Sequence, residues 1–233
     1  LSALSKLVVL IIFVGLFFVW KEHSSVFHSE ARKGMPQSLG EGMICPVLPP
    51  SVRSGADPLQ TNVPAGLRPF QFSQATIIPL AGYSIEARVL SRKDYSHDVS
   101  PMDILVGWGP MSREDVTSKL VFGQNRRFGS WTARAGNPPI SYTEINRHAA
   151  NMHLIPANYE VAKAIAGIRA DDTVRLHGWL VRVEQDNGRR WSSSLSRTDQ
   201  GDGACELMLV CDMSMVSTAA SDAPSSGKTF LWW

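Results

Sequence analysis

The sequence predicts an α+β protein: an N-terminal transmembrane helix, then a mostly antiparallel sheet or small open barrel with two or three helices. Three observations predict it. An uncharged apolar run opens the chain, strand-period segments outnumber helix-period ones, and the two clearest helices fall together between early and late strands. A hydrophobic fraction of 44% with 19% charged residues suits a folded domain and excludes a disordered or collagen-like chain.

The apolar run is LVVLIIFVGLFFVW, residues 7–20. Alone it spans about 21 Å, short of a hydrocarbon core of roughly 30 Å. Lys6 precedes it and snorkels, which lengthens the usable stretch to about twenty residues. Trp20, Lys21, Glu22 and His23 stand where a cleavage site would need small residues. Residues 1–22 are therefore expected to be a retained signal-anchor whose partner is the lipid bilayer, in preference to a cleaved signal peptide or a core helix. Lys21, Arg32 and Lys33 outnumber Lys6, and that count alone favours the reverse orientation. Long domains translocate largely regardless of charge, however, so the body is expected on the far side, in a periplasm or exterior.

Residues 23–75 form a tether or a wrapped arm. Seven of the chain's 14 prolines lie between positions 36 and 69, which rules out helix interiors there. Ile44, Cys45, Val47 and Leu48 make the wrapped arm an open alternative, since apolar residues are rare in flexible linkers.

Residues 76–213 are expected to be the extracytoplasmic α+β domain. YSIEARVL at 83–90 alternates as a half-buried strand, and 104–106 gives a second, short strand. Ser112, with Glu114 and Asp115 after it, starts a short helix reaching about Leu120. Residues 121–134 suit a strand or a hairpin arm. Ser141 and Glu144 form a capping box for a helix from Tyr142 toward Met152, ending before Pro156. Asn158 caps a second helix that sets Val161, Ala164, Ile165 and Ile168 on one face. TVRLHGWLVRVE at 173–184 is the clearest strand, with Gly178 marking a bulge or bend, and Asp186, Asn187 and Gly188 turn it into a hairpin. CELMLVC at 205–211 is the final strand, and the Ser/Ala-rich residues 214–233 are expected to be a disordered tail.

Charge and motifs narrow the function. Lys and Arg total 23 against 21 Asp and Glu, and a net charge of +2 gives no footprint for nucleic acid. The Gly227-Lys228-Thr229 triplet lacks the earlier glycine of a phosphate loop, and DQGDG at 199–203 lacks the ligands of a calcium loop. Neither a cofactor nor a metal site is indicated.

Three candidate sets remain. His148, Asn151 and His153 form the densest polar cluster, but on a helix the two histidines stand about 140° apart and cannot chelate one metal. Cys205 with His148 or His153 as its base is the alternative that would make a thiol hydrolase, against the competing reading of a buried free thiol. Trp108, Trp131, Trp179 and Trp191, alternating with Arg126, Arg127, Arg134, Arg182, Arg189 and Arg190, form a candidate binding groove, with Trp108, Trp179, Trp191, Arg182 and Arg190 its foremost residues, against the competing reading of core tryptophans and solvated arginines. Cys205 and Cys211 lie about 20 Å apart along one strand and cannot pair. An oxidising compartment would leave Cys45 to bridge to Cys205 or Cys211, with the third thiol buried.

The segments GWGPMS at 107–112, NMHLIPAN at 151–158 and GDGACE at 201–206 resemble a group of single-pass membrane-anchored proteins of proteobacteria, over residues 83–210. No activity is assigned to that group, so the resemblance carries over no functional residue. It implies a bacterial inner membrane location with the main domain in the periplasm. The expected function is a membrane-tethered binding or accessory module that associates with a larger membrane complex or an envelope ligand. The alternative is the thiol- or metal-dependent hydrolase.

Overall fold

The computed structural model describes residues 45, 48, 50–52, 55–72, 74–96, 98–196 and 204–216. The expected signal-anchor and most of the expected tail lie outside these residues. No helix among the described residues is long and apolar enough to cross a membrane.

Five strands close a barrel. β3 (Ala75–Asp94), β4 (Met102–Gly107), β7 (Ala149–Pro156), β10 (Glu206–Met215) and β8 (Thr173–Gln185) follow one another around it, and β8 pairs back onto β3. Every pairing is antiparallel except that of β7 with β10. In chain order the barrel runs first, second, third, fifth, fourth, with helix α3 (Tyr159–Ala166) between its third and fourth strands. This is the topology of an OB-fold barrel. The small barrel expected from the sequence is thus closed rather than open, because the thirteen-residue ladder between β3 and β8 joins its edges.

Alternation along the strands separates an inner from an outer set. Tyr83, Ile85, Ile104, Val106, Met152, Leu154, Leu176, Met208 and Val210 fill the interior, and Val161, Ile165 and Ile168 of the α3 region close one end. Asn158 caps α3 by accepting the Val161 N–H, as its position predicts. Gly178 is needed in mid-strand because β10 passes so close that a Cβ would lie 2.0 Å from the Leu209 carbonyl oxygen.

The described part of the arm contributes two strands to the sheet. β1 (Leu59–Thr61) pairs with Ser84, Tyr83 and Gly82, and β2 (Phe70–Phe72) folds back on the start of β3. Residues 59–61 and 70–72 thus pair with the barrel as a wrapped arm would. An outer apolar cluster explains the wrapping: Phe72, Ile77, Ile155, Trp179, Leu207 and Leu209 are buried beneath it, with Cys45, Leu67 and Phe70 packed against them. Ser51 Oγ lies 2.9 Å from His177 Nε2, and Trp108 Nε1 donates to Asp57 at 3.0 Å. A disulfide joins Cys45 to Cys211. Cys211 sits where the register between β10 and β8 slips, and that bulge turns its side chain toward the arm.

Between β4 and β7 the chain inserts a 3₁₀ turn (Gly109–Ser112), helix α1 (Glu114–Thr117), the hairpin β5 (Leu120–Asn125) and β6 (Phe128–Ala133), and helix α2 (Tyr142–Arg147). Ser141 caps α2 by accepting the Glu144 N–H, but the helix stops at Arg147 instead of continuing to Met152. Residues 149–156 are strand β7, since Ala150, Met152 and Leu154 point into the barrel while Asn151, His153 and Ile155 point out. The helix expected from Ser112 is likewise shorter: Ser112 Oγ bonds the Gly109 carbonyl, Arg113 is the N-cap position, and β5 has begun by Leu120. β8 turns into the short β9 (Arg190–Ser192) through the expected hairpin, ahead of β10.

Candidate functional site

The outer face of β4, β7 and β10 carries the densest set of functional side chains. Asp103 stands directly opposite His153, and His153 directly opposite Leu207. Cys205 lies just before β10, level with Asn151 two residues before His153. Residues two apart on a strand share a face, so Asn151 and His153 both look out of the barrel toward Cys205.

His153 is the hub of the group and is only 2% exposed. Its Nδ1 lies 2.8 Å from Asp103 Oδ1, a contact that becomes an ion pair when the ring is protonated. The Cys205 thiol stands near enough to the ring to act on its titration. Burial pushes the His153 pKa down, but the contacts with Asp103 and Cys205 outweigh it and leave the value raised above 6.5. Cys205 is free and half-buried. Asn151 Nδ2 lies 3.4 Å from its sulfur.

Asp103 is held by more than His153. Arg127 Nη1 donates to the same Oδ1 at 2.6 Å, while its Nη2 reaches the Ser100 carbonyl at 3.0 Å and Asp98 at 2.8 Å. The Tyr95 hydroxyl accepts the Arg127 backbone N–H at 3.2 Å, and burial together with the Asp103 charge raises the phenol's pKa. A buried carboxylate needs such partners to stay charged. Arg127 reaches it from the β5–β6 turn, where Arg126 and Arg127 take φ values of 47° and 74°. Two-residue hairpins need this left-handed backbone, for which glycine or asparagine is the easier choice. The ion pairs of Arg127 offset the resulting strain.

Aromatic rings cover the centre. Trp191 lies 4.6 Å from the His153 ring, and the Arg127 guanidinium stacks 3.5 Å over Tyr95 and 5.3 Å from Trp191. The hairpin closes against Asn151 through Gly129, where a Cβ would meet Leu105 at 2.8 Å and Asn151 Oδ1 at 3.2 Å.

The structure brings together only some of the residues singled out in the sequence. Cys205, His153, Asn151 and Trp191 meet. His148 does not: it caps the end of α2 beside Trp108, five strand residues and about 16 Å from His153. Trp108 and Trp179, each 1% exposed, are core residues and line no open groove. Arg182 and Arg190 converge on Glu184, on the opposite side of β9 from Trp191. Arg127 belonged to the expected aromatic and basic groove, whereas Asp103 and Tyr95 were not anticipated. A carboxylate inside the apolar run MDILVG was the one available signal for Asp103.

Protein-family models, curated proteins and solved structures were all compared with this chain, and none matches it.

Proposed function

We propose that the chain is a membrane-tethered, extracytoplasmic thiol-dependent hydrolase in which Cys205 is the nucleophile, His153 its base and Asp103 the group that holds the imidazole. The observation that carries this reading is the proximity of a half-buried free thiol to an imidazole, itself 2.8 Å from a buried carboxylate, close enough for thiol and carboxylate to raise the imidazole pKa. A thiol in that position can pass its proton to the ring as sulfur attacks an electrophilic carbon, and Asp103 favours the imidazolium so formed. Trp191 and Arg127 keep bulk water from the imidazole, which strengthens these electrostatic interactions. Among the described residues no group of three or more His, Cys, Asp or Glu is arranged to hold a metal ion.

Two observations support the extracytoplasmic setting. The Cys45–Cys211 disulfide belongs to an oxidising compartment, and the apolar run at 7–20 suits an inner-membrane anchor with the barrel in a periplasm. The test of function is hydrolysis of p-nitrophenyl acetate and of an acetyl thioester by the full chain in mild detergent. Cys205→Ala and His153→Ala are expected to lower the rate by a factor on the order of 10²–10⁴. Wild-type rates in Cys205→Ala would refute the reading.

The half-exposed stack of Arg127, Tyr95 and Trp191 favours a second reading, that of an accessory module docking on an envelope ligand or membrane complex. There, Arg127→Ala and Trp191→Ala lose a co-purifying partner while Cys205→Ala retains it.

A further inference from the structure

We infer that the Asn151 carboxamide is the oxyanion donor of the Cys205 centre, and hence that the substrate is a carbonyl compound of the ester, thioester or amide class. This inference rests on the thiol reading and goes one step further. Asn151 shares the outer face of β7 with His153 and is itself buried. Both ends of its amide are fixed. Oδ1 accepts from Gln124 Nε2 at 3.1 Å, and Nδ2 donates to the Arg127 backbone carbonyl at 2.8 Å. A backbone carbonyl can only accept, so the nitrogen must be the end that faces Arg127, and the same nitrogen lies 3.4 Å from Cys205 Sγ. Of its two hydrogens one is committed to Arg127, and the other points at the sulfur.

That second hydrogen has a chemical use. When Sγ attacks a carbonyl carbon, an S–C bond forms, the carbonyl π pair moves onto oxygen, and the thiol proton passes to His153. The negative oxygen develops one bond beyond the carbon joined to sulfur, within reach of a donor held beside that sulfur. Collapse re-forms the carbonyl and expels the alcohol, thiol or amine, which takes the proton from His153. Water, activated by the freed imidazole, then cleaves the thioester and restores the thiol. A donor pre-oriented by Gln124, Arg127 and the close-packed Gly129 need not reorganise during the reaction, which is where such groups are most effective.

The experiment compares two reactions of Cys205 in the full chain. Acylation by p-nitrophenyl acetate passes through an oxyanion. Alkylation by iodoacetamide displaces iodide at a saturated carbon and does not. Asn151→Ala is expected to slow acylation by about 100-fold to 1,000-fold while leaving the alkylation rate essentially unchanged. Asn151→Leu keeps the approximate shape but loses the donor without adding charge, and it carries the same comparison if the alanine variant folds poorly. A parallel fall in both reactions, or no fall in acylation, would overturn the assignment of Asn151. Undiminished acylation in Cys205→Ala would instead overturn the thiol reading beneath it.

Discussion

Removing the disulfide should cost the fold a large part of its stability. Cys45 and Cys211 are 166 residues apart in sequence, so their bond closes most of the folded chain into one loop. The chain-entropy relation gives about 5 kcal/mol for a loop of that length, an upper figure because an unfolded chain is never a free coil. Native domains are stable by only about 5–15 kcal/mol, so the loss is comparable with the whole. The two sulfurs also pack against the outer cluster around Trp179 and Leu209, and their replacement by hydroxyls loses that contact as well. At about 2–4 °C per kcal/mol for a domain of this size, the Cys45→Ser, Cys211→Ser double variant should unfold about 10–20 °C below the parent. Thermal unfolding followed by far-UV circular dichroism, in matched detergent, reads this directly. A parent under reductant should fall to the same temperature. A double variant within about 2 °C of the oxidised parent would refute the reasoning, since the arm would then be held by β1, β2 and its apolar contacts alone.

Other expectations follow from the same geometry. Gly178→Ala forces a methyl group onto the Leu209 carbonyl and should destabilise by about 3 kcal/mol or more, seen as a lower urea midpoint; an unchanged midpoint would mean β8 and β10 can separate freely. Because the His153 pKa is raised, acylation of Cys205 should climb with pH through a midpoint above 6.5, and Asp103→Asn, which removes one of the groups that raises it, should move that midpoint down. The same shift makes protonated His153 a stabiliser of the fold, fully effective below about pH 6.5 and lost as pH rises through the raised value; a flat urea midpoint across that range would contradict it. His177 is opposite in sign: burial lowers its pKa, with Arg175 adding to burial and Asp212 opposing it, so its contribution is present above 6.5 and lost as pH falls through the lowered value. His177→Gln should remove that acid-side loss. For the anchor, Val14→Arg with Leu16→Arg should release the chain into carbonate extracts, since each central arginine costs about 2.5–3.5 kcal/mol on insertion; retention in the membrane pellet would count against it.

Local pattern made much of the barrel legible. The strand expected at 173–184 differs from β8 by one residue, because Val174, Leu176 and Leu180 face the barrel interior while Trp179, Val181 and Val183 face the outer apolar cluster, a period of two on both faces. β3 was legible only in its second half. Its first half holds Pro79, which sits at a bulge between Pro79 and Ala81, and a proline inside an apolar run argues against a strand until the bulge is seen. The β7 region was misread because the capping box at Ser141 is real and its helix was carried too far. The period-two order of AANMHLIP was present in the sequence, but tertiary pairing with β4 and β10 decided the matter. β1 and β2 are three residues each, too short to show a period. The site was half legible. Cys205, Asn151 and His153 stood out as residue types, yet what unites them is parallel pairing between strands some fifty residues apart, which leaves no local mark. Arg127 reaches Asp103 from a separate hairpin, and nothing in the spacing of those two residues predicts it.

The central claim, that Cys205 is a nucleophile served by His153, is tested most directly by intact-mass analysis of the full chain quenched during turnover of p-nitrophenyl acetate. One acetyl group mapped to Cys205, absent in Cys205→Ala and strongly reduced in His153→Ala, is the predicted result. No adduct on Cys205, or one that forms as fast without the imidazole, would contradict the account.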